Sequence, residues 1–390
     1  MTANMPDHEV NKMKSVVIAG YVRSPFTLAN KGALTRVRPD DLAAQVVKGL
    51  IRKSGINPED IEDLKLGCAF PEGEQGLNLA RLVGFLADLP ISVSGVTVNR
   101  FCGSSMEAIH MAAGAIHMNA GEAFICAGVE SMSRVPMMGY NPLPNPGLYD
   151  SFPAAYMSMG ETAERVAERS QIDRRRQEEF AVDSQKKAAM AQAEGRLSDE
   201  IISIDDKNGP VSDDGCLRPD TTVEGLSQLK PAFDENGTVT AGTASPLTDG
   251  ASAVLICSGE YAEKHGIEPL ARIKSIATAG CAPDIMGMGP VHASLKALER
   301  AGLTISDMDV TELNEAFASQ SIACIDELGL DRDKVNIDGG AIALGHPLGA
   351  TGARITGKAA QLLKRQGGKF ALATQCIGGG QGIATILEAA

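Results

Sequence analysis

The chain has 390 residues, more than one hydrophobic core usually fills, so two or three domains are expected. Hydrophobic residues make up 44% and charged residues 22%, the balance of an ordinary soluble globular protein. The net charge of −13 argues against a nucleic-acid-binding protein, which would need a basic face. An anionic ligand stays compatible with this charge, because a local basic patch can bind one.

The first 13 residues show no pattern of a targeting segment. They mix acidic and polar residues and lack the apolar stretch of a signal peptide or the Arg-rich pattern of a transit peptide. The longest apolar runs of the chain are much shorter than a membrane span. We therefore predict a cytoplasmic protein with a loose extension at residues 1–13.

Eight cysteines are spread along the chain without any C-x-x-C pair, so no metal or iron–sulfur site is predicted. Without a secretion signal we expect reduced thiols rather than disulfides. The simplest interpretation of each cysteine is a small, buried apolar side chain. Cys126 and Cys257 lie in strand-like apolar runs and keep this interpretation.

Strand-like and helix-like segments alternate along the chain, which predicts an α/β fold. The run SVVIAG (15–20) predicts a strand, and residues 40–55 predict a helix with one apolar face. Asp40 or Asp41 can cap the start of this helix, and Gly55 can end it in the left-handed conformation.

The sequence also contains a repeat at an offset of 247 residues. At this offset SGINPEDIEDL matches AGLTISDMDVT, VNRFCG matches GHPLGA, and GEAFICAGV matches GKFALATQC. Three matches in one register predict a duplicated α/β unit. Asn99 then corresponds to His346, and Val129 corresponds to Cys376.

A region of different composition separates the two halves of the repeat. It contains Pro, Met and Gly clusters, followed by a helical run with charges of alternating sign (161–195), which indicates solvated helix faces. Long insertions of this kind often contribute to ligand sites. We therefore predict four parts: an extension (1–13), an N-terminal half (14–132 plus 248–270), a loop or lid domain (133–247) and a C-terminal half (271–390).

Cys102 lies between a strand-like stretch and a helix-like stretch in the segment VNRFCGSSMEAIH. At a helix N-terminus, backbone N–H groups and the helix dipole favour a thiolate. The small residues that follow, Gly103, Ser104 and Ser105, leave room for a substrate carbonyl and offer N–H groups to an oxyanion. We interpret Cys102 as a candidate nucleophile, with a buried structural cysteine as the alternative.

A nucleophilic thiol needs a base and a site for the oxyanion, and three later stretches offer candidates. Asn314 in LNEAFASQ can orient a water or a carbonyl. His346 lies in the glycine-rich stretch GGAIALGHPLGATGAR; a lone histidine is more often structural, but these glycines and Pro347 suit a ring in an open pocket. Cys376 in ATQCIGGGQG precedes bare backbone whose N–H groups can point at a ligand.

Four motifs, NRFCGSS, NEAF, GHP and CIGGG, occur in the order and spacing of the thiolase family, which the chain resembles from about residue 14 to its end. The stretches MSMGETAE, FDENGTVTAGTASPLTDGASA and MGMGPVHAS also resemble thiolase segments. The resemblance implies two βαβαβαββ halves stacked as a five-layered αβαβα core, with a loop domain over the active site. It also implies an acyltransferase that uses coenzyme A as a substrate, without a tightly bound cofactor or a metal.

The resemblance assigns a role to each candidate residue. It implies that Cys102 is the acylated nucleophile, and that His346 deprotonates it and helps to stabilise the oxyanion of the thioester. Asn314 would hold a water in that same oxyanion hole, and Cys376 would be the acid and base for the α-carbon of acetyl-CoA. The backbone N–H groups of Cys102 and Gly378 would form a second hole. A covalent acyl–cysteine intermediate predicts ping-pong kinetics.

The family likeness also suggests residues that bind coenzyme A. Ser245 would lie near the pantetheine and Arg218 near the nucleotide end. Four residues would line the acyl and pantetheine tunnel: Ala316, Phe317, Met159 and Met288. For these apolar residues the alternative is ordinary core packing, and for Arg218 it is a solvated surface position.

The resemblance therefore predicts thiolytic cleavage of 3-ketoacyl-CoA by coenzyme A, in fatty-acid β-oxidation. Ser158 stands where short-chain biosynthetic thiolases have a histidine, which favours a degradative enzyme over an acetoacetyl-CoA-forming one. The Cys376 motif disfavours a condensing enzyme of fatty-acid synthesis. The alternative of a different class is a non-catalytic acyl-CoA-binding or carrier subunit. We expect a homodimer or homotetramer, and a β-oxidation multienzyme partner is a further hypothesis.

Overall fold

The structure is a computed structural model that describes residues 14–390, so the predicted extension at residues 1–13 lies outside the described chain. Its strands are β1 (Val16–Arg23), β2 (Thr27–Leu28), β3 (Asp63–Gly67), β4 (Ser94–Val98), β5 (Ala123–Ser131), β6 (Ile204–Asp206), β7 (Gly209–Val211), β8 (Thr248–Ser258), β9 (Ala271–Gly280), β10 (Val310–Leu313), β11 (Phe370–Ile377) and β12 (Gln381–Glu388). Its α-helices are α1 (Pro39–Ser54), α2 (Leu79–Leu86), α3 (Ser104–His117), α4 (Pro146–Ser151), α5 (Met159–Arg169), α6 (Arg174–Ala193), α7 (Val223–Ser227), α8 (Gly259–His265), α9 (Gly289–Ala301), α10 (Ala318–Leu328), α11 (Ala341–Leu344) and α12 (Leu348–Gln366).

Most strands belong to one mixed sheet with the order β10-β11-β12-β9-β1-β8-β5-β3-β4. Strands β3, β4 and β5 run parallel, as do β10 and β11, whereas β8 is antiparallel to both β1 and β5. Only two residue pairs join β1 to β9, Val17 with Arg272 and Ile18 with Ala271. The sheet therefore consists of two halves, β1-β8-β5-β3-β4 and β9-β12-β11-β10, that meet at a short seam.

Helices alternate with the two sheet halves to give five layers. The first outer layer packs α1 on the first half, where Leu50 and Leu255 share a core. The central layer contains α3 and α12, whose residues Ile109 and Ile355 pack between both halves. The other outer layer contains α9, whose Leu298 packs on β11 and β12. This arrangement confirms the predicted αβαβα architecture.

Two buried glycines let the central helices approach the ends of the strands. A Cβ atom on Gly128 of β5 would lie 2.2 Å from the carbonyl oxygen of Gly349 at the start of α12. A Cβ atom on Gly352 of α12 would lie 2.3 Å from the backbone nitrogen of Met106 on α3. Because only glycine permits these distances, the two helix N-termini meet at one end of the sheet.

The predicted repeat is present in the structure. Helices α1 and α9 both end at a left-handed glycine, Gly55 and Gly302, and each is followed by a 3₁₀ turn, at 58–60 and 305–307. The second half departs from the first at residues 341–345, which correspond to β4 but form α11 before a loop. There the backbone N–H of Ile342 bonds to the Glu315 carboxylate, and a single bridge from Val335 to Thr311 takes the place of the strand.

The segment between the halves contains helices α4 to α7 and the small hairpin β6–β7. The predicted charged run forms two helices, α5 and α6, separated by a turn with Gln171 at a φ of 52°. Each helix buries one apolar side, since Val166 and Phe180 share a core with Ile322 of α10. Within residues 14–390, no helix is both long and apolar enough to cross a membrane.

Candidate active site

Cys102 lies in a tight turn between β4 and the first residue of α3, Ser104. The turn places Phe101 at a φ of 43°, and a Cβ atom on Gly103 would lie 2.6 Å from the Ile377 side chain. The Gln375 amide donates a hydrogen bond to the Cys102 carbonyl oxygen. Two strand ends from different halves, β4 and β11, therefore fix the position of this cysteine.

The thiol of Cys102 does not have the lowered pKa that its place beside a helix start predicts. Burial raises its pKa to about 12, and this influence outweighs the hydrogen bonds from the backbone N–H groups of Gly378 and Cys102 itself. The negative charge of Glu130 raises the pKa further. Cys102 is thus a neutral thiol in the free protein, and it needs a base to become a nucleophile.

His346 lies in the loop between α11 and α12 and is buried. Its Nδ1 atom lies 2.7 Å from the Thr351 hydroxyl, and its Nε2 atom lies 3.4 Å from the Asn314 amide nitrogen. Because an amide nitrogen only donates, Nε2 is the acceptor, and the ring proton lies on Nδ1 facing Thr351. Burial, followed by the charge of Arg354, lowers the His346 pKa to about 3, so the ring is neutral and Nε2 can accept a proton.

Asn314 directly follows β10, where its backbone N–H bonds to the Thr374 carbonyl oxygen at 3.0 Å. Its side-chain oxygen is buried and has no hydrogen-bond partner among the described residues. A buried amide oxygen of this kind can be satisfied by a bound water. The side chain can therefore hold a water next to the His346 ring.

Cys376 is the fully buried penultimate residue of β11. Burial raises its pKa well above the usual thiol value, and the charge of Cys102 is the next largest influence. A turn follows in which Gly379 and Gly380 have φ values of 79° and 84°, and the N–H of Gly378 faces the Cys102 sulfur. The structure thus brings Cys102, Cys376 and Gly378 together as predicted.

Four of the predicted coenzyme A and tunnel residues surround this centre. The backbone N–H and the hydroxyl of Ser245 both donate to the Ala316 carbonyl oxygen, at 3.0 and 3.1 Å. Phe317 and Ala316 share an apolar cluster with Cys376, against which Met159 also packs. A Cβ atom on Gly378 would lie 3.4 Å from the Met159 sulfur.

The other two predicted ligand residues lie farther from this cluster. Met288 packs against a neighbouring core that includes Val166. Met286, two residues earlier, belongs to the cluster that contains Cys376. Arg218 is exposed, and its backbone N–H donates to the Gln185 side chain at 2.8 Å. The roles of Met288 and Arg218 stay predictions.

Sequence profiles of two domains match nearly all of the chain: the thiolase N-terminal domain over residues 16–260 and the thiolase C-terminal domain over residues 267–389. The chain belongs to the thiolase family. Membership of the thiolase family makes it an acyltransferase. Among curated thiolases, a 3-ketoacyl-CoA thiolase of Bacillus subtilis (strain 168) is 47% identical over 389 residues, with 96% of this chain and 100% of that protein covered. A 3-ketoacyl-CoA thiolase of Vibrio vulnificus (strain YJ016) is 49% identical over 386 residues, with the same coverage.

Solved thiolase structures share this fold. The human mitochondrial 3-ketoacyl-CoA thiolase superposes with a TM-score of 0.90 at 38% identity, covering 97% of this chain and 99% of the human one. The same human enzyme has also been solved in complex with CoA. An acetyl-CoA acetyltransferase of Bacillus anthracis reaches a TM-score of 0.90 at 39% identity, covering 97% of this chain and 100% of that one.

Two side chains of this thiolase that contact the centre, Thr351 and Glu130, were not predicted from the sequence. Thr351 follows His346 by five residues. A hydroxyl side chain in the first turn of α12 could have indicated a partner for the histidine ring. Glu130 is fully buried and accepts hydrogen bonds from the backbone N–H groups of Ala69 and Gly349, at 2.8 and 3.0 Å. An acidic residue in an otherwise apolar strand sequence could have indicated this buried carboxylate. Within the described part of the chain, no three His, Cys, Asp or Glu side chains are grouped to hold a metal.

Proposed function

We propose that this thiolase cleaves 3-ketoacyl-CoA with coenzyme A and yields acetyl-CoA and an acyl-CoA shortened by two carbons. The observation that supports this proposal is that Cys102, Cys376 and the N–H of Gly378 meet in one buried centre at the end of β11, while the neutral imidazole of His346 contacts Asn314 at the end of the neighbouring strand β10. Claisen chemistry needs one nucleophile, one acid and base for the α-carbon, and two sites for negative oxygen. The centre offers a candidate for each of these.

The first half-reaction would form an acyl enzyme. His346 Nε2 takes the proton of Cys102, and the sulfur attacks the 3-keto carbon, whose oxygen receives the N–H groups of Cys102 and Gly378. The bond between the second and third carbons then breaks. Its electron pair forms the enolate of acetyl-CoA, whose oxygen is stabilised by His346 and by a water on Asn314. The thiol of Cys376 protonates the α-carbon, and acetyl-CoA leaves.

The second half-reaction would return the free enzyme. The Cys376 thiolate takes the proton of the incoming coenzyme A thiol, whose sulfur attacks the acyl group on Cys102. The oxyanion again receives the two backbone N–H groups. Expulsion of the Cys102 sulfur gives the new acyl-CoA, and the proton on His346 returns to Cys102. Each proton that leaves a residue in one step comes back in another, so no further reactant is needed.

Coenzyme A would approach along the surface formed by Ser245, Ala316, Phe317 and Met159. The two hydrogen bonds from Ser245 to the Ala316 carbonyl oxygen fix this wall beside Cys376. Farther from Cys376, Met288 would line the tunnel and Arg218 would contact the nucleotide end of coenzyme A. We expect no tightly bound cofactor, since every step above uses side chains, backbone and the two thioesters.

We favour a degradative substrate range over a role limited to acetoacetyl-CoA. Ser158, which replaces the histidine of short-chain biosynthetic thiolases, caps α5: its hydroxyl accepts from the Glu161 N–H, and its own N–H donates to the Glu161 carboxylate. This serine therefore acts as the N-cap of α5 and places no imidazole ring beside Met159. The structural likeness to the acetyl-CoA acetyltransferase of Bacillus anthracis keeps the acetoacetyl-CoA-forming activity as the second candidate.

The test is to incubate the protein with acetoacetyl-CoA or with a longer 3-ketoacyl-CoA, without free coenzyme A, and to weigh the intact protein and its peptides. We expect one acyl adduct on the Cys102 peptide, released when coenzyme A is added, with the longer acyl group loading faster. Faster loading from acetoacetyl-CoA would favour the second candidate. Bound acyl-CoA without any adduct would instead support a non-catalytic carrier subunit.

The assembly we propose is a homodimer or homotetramer. Strand β4 ends the sheet and has no partner on its outer edge within residues 14–390. Next to this edge lie exposed apolar side chains of α2 and its flanking loops: Leu77, Leu82, Phe85, Leu86 and Ile91. An open strand edge beside an apolar patch is a surface suited to pairing with a second copy of the chain. We further propose that the protein is cytoplasmic and that it associates with a partner in a β-oxidation multienzyme complex.

A further inference from the structure

Asn314 and His346 flank β10 and α12, and these two elements make a further contact of their own. Glu312 and Arg354 are both buried, and an Arg354 Nη1 donates to a Glu312 oxygen at 2.7 Å. Glu312 precedes Asn314 by two residues at the end of β10, so the two side chains point to the same side. Arg354 follows Thr351, the partner of His346, by almost one turn of α12.

This pair is incompletely satisfied, unlike the other buried charges around it. The Nε and second Nη atoms of Arg354, and one oxygen of Glu312, are buried without a hydrogen-bond partner among the described residues. A buried guanidinium with a single hydrogen-bonded carboxylate depends on that carboxylate for neutralisation. When Glu312 is protonated, the positive charge of Arg354 faces its surroundings without compensation.

His346 is the group that feels this charge during the reaction. Among the charges that act on its ring, that of Arg354 is the one that disfavours the imidazolium. The proposed mechanism needs the imidazolium transiently, when Nε2 has taken the proton of Cys102. A negative charge on Glu312 offsets Arg354 and makes this proton transfer easier.

We propose that Glu312 and Arg354 are positioning residues for His346, so that proton transfer from Cys102 is efficient only while Glu312 is ionised. This inference rests on the proposed function. The two residues touch no reacting atom, and they act through the charge that reaches the His346 ring. The protein would then have a dependence on pH that belongs neither to its cysteines nor to its histidine.

The surroundings of Glu312 place this dependence near neutral pH. Burial raises the Glu312 pKa to about 7 against the opposing effects of Arg354 and Lys358 on α12. Asp338 and Glu200 face it with negative charge, and the Tyr21 hydroxyl of β1 belongs to the same group. Lys358 is already paired with both Glu200 and Asp338, at 2.8 Å each, so Glu312 is left as the partner of Arg354.

The test compares wild type with Glu312→Gln from pH 5.5 to pH 8.5, by kcat/KM for thiolysis and by the rate of Cys102 alkylation with iodoacetamide. Above pH 7 we expect the variant to be slower by about tenfold, which corresponds to one pKa unit at the imidazole. Below about pH 6 the two rates should converge, because Glu312 of the wild type is then uncharged, like the glutamine that replaces it in the variant. A loss that stays the same at every pH would mean a purely structural role and would overturn the proposal.

Two further variants keep the test independent of folding damage. Glu312→Gln with Arg354→Gln removes both charges and should restore the rate at pH 8 to within about threefold of wild type. Arg354→Gln alone should move the pH step to higher pH, because Glu312 then lacks the positive charge that lowers its pKa. If neither variant gives its expected result although both unfold at the normal temperature, the inference is also overturned. Asp249→Asn, which alters a buried carboxylate bonded to Ser131 and Ser133 instead, should keep the wild-type midpoint. If no acyl transfer occurs at all, the proposed function fails, while alkylation still reports on the charge pair.

Discussion

At the scale of single residues, the centre depends on which nitrogen of His346 carries the proton. The Asn314 amide nitrogen faces Nε2, and the Thr351 hydroxyl faces Nδ1 at 2.7 Å. Thr351 can in turn donate to the Pro347 carbonyl oxygen, at 3.5 Å. This chain of contacts keeps Nδ1 protonated and leaves the basic lone pair on Nε2, where the Asn314 N–H must give way when Nε2 takes a proton.

We predict that Thr351→Val lowers kcat/KM by about ten- to a hundredfold, because a buried N–H without an acceptor costs about 1–3 kcal/mol. Valine has nearly the shape of threonine, so the fold should tolerate it. The matched control, Thr351→Ser, keeps the hydroxyl and should retain most of the activity. Steady-state thiolysis rates measure both variants, and equal losses in the two would show that the methyl group matters rather than the hydroxyl.

At the scale of elements, the two central helices approach closely because glycine stands where they cross. The Gly352 position has no room for a Cβ atom, which would lie 2.3 Å from the Met106 nitrogen. Gly114, on α3, has open space around its Cβ position. The same substitution in two neighbouring helices therefore has opposite expected effects.

We predict that Gly352→Ala lowers the free energy of unfolding and reduces acylation of Cys102, because the start of α12 must move away from α3. By contrast, Gly114→Ala should raise stability by about 0.5–1 kcal/mol, since alanine favours a helix interior. Chemical denaturation gives both values, and intact-mass analysis gives the acylation. A stable, fully active Gly352→Ala variant would mean that the two helices are not held at this distance.

A second element-scale feature is a set of buried ion pairs that joins the intervening segment to the core. Arg23 of β1 bonds to Glu200 at 2.7 Å and to Asp214 at 2.6 Å, and Lys358 of α12 bonds to Glu200 at 2.8 Å. Burial, the largest influence, raises the Glu200 pKa, but Lys358 and Arg23 together outweigh it, so the pKa is lowered. The stabilisation from Glu200 is thus present above its unfolded pKa and is lost as the pH falls through the lower folded value.

We predict that Arg23→Met destabilises the protein by about 3–5 kcal/mol at pH 7, because the buried Asp214 carboxylate loses its cation and Glu200 keeps only Lys358. Arg175→Met is the control: Arg175 forms an exposed pair with Glu179 on α6, and its loss should cost less than about 1 kcal/mol. Urea unfolding at pH 7 and at pH 4 measures both variants. The Arg23 effect should shrink at the lower pH, and an effect independent of pH would contradict the role given to Glu200.

At the scale of the whole molecule, the duplication explains where the centre forms. The offset of 247 pairs Asn99 with His346 and Val129 with Cys376, so equivalent places in the two halves carry different chemistry. Gly349 of the second half corresponds to Cys102 of the first, and its N–H bonds to Glu130. The proposed active site thus lies where two diverged copies meet, and each half supplies groups that the other lacks.

Sequence patterns predicted the layers, the repeat and the proximity of Cys102 to Cys376, because motifs and strand ends determine these features. They did not predict the raised pKa of Cys102, which depends on burial by both halves. Nor did they separate Met286, which shares a cluster with Cys376, from Met288, which packs on a neighbouring core, because the segment 283–288 is an irregular turn with a non-helical residue at Ile285. Contacts across distant segments, such as Arg354 with Glu312, leave no local pattern to detect.

The last prediction concerns assembly through the open edge of β4. Leu77 and Ile91 are 88% and 83% exposed in the single chain, so lysine at both positions should hardly change its own stability. In a pair of chains the same lysines would have to be buried without partners. We therefore expect wild type to have the mass of a dimer or tetramer by light scattering, and Leu77→Lys with Ile91→Lys to shift it toward monomer. Leu295→Lys, on the exposed side of α9, should leave the mass unchanged, and a monomeric wild type at micromolar concentration would refute the proposed assembly.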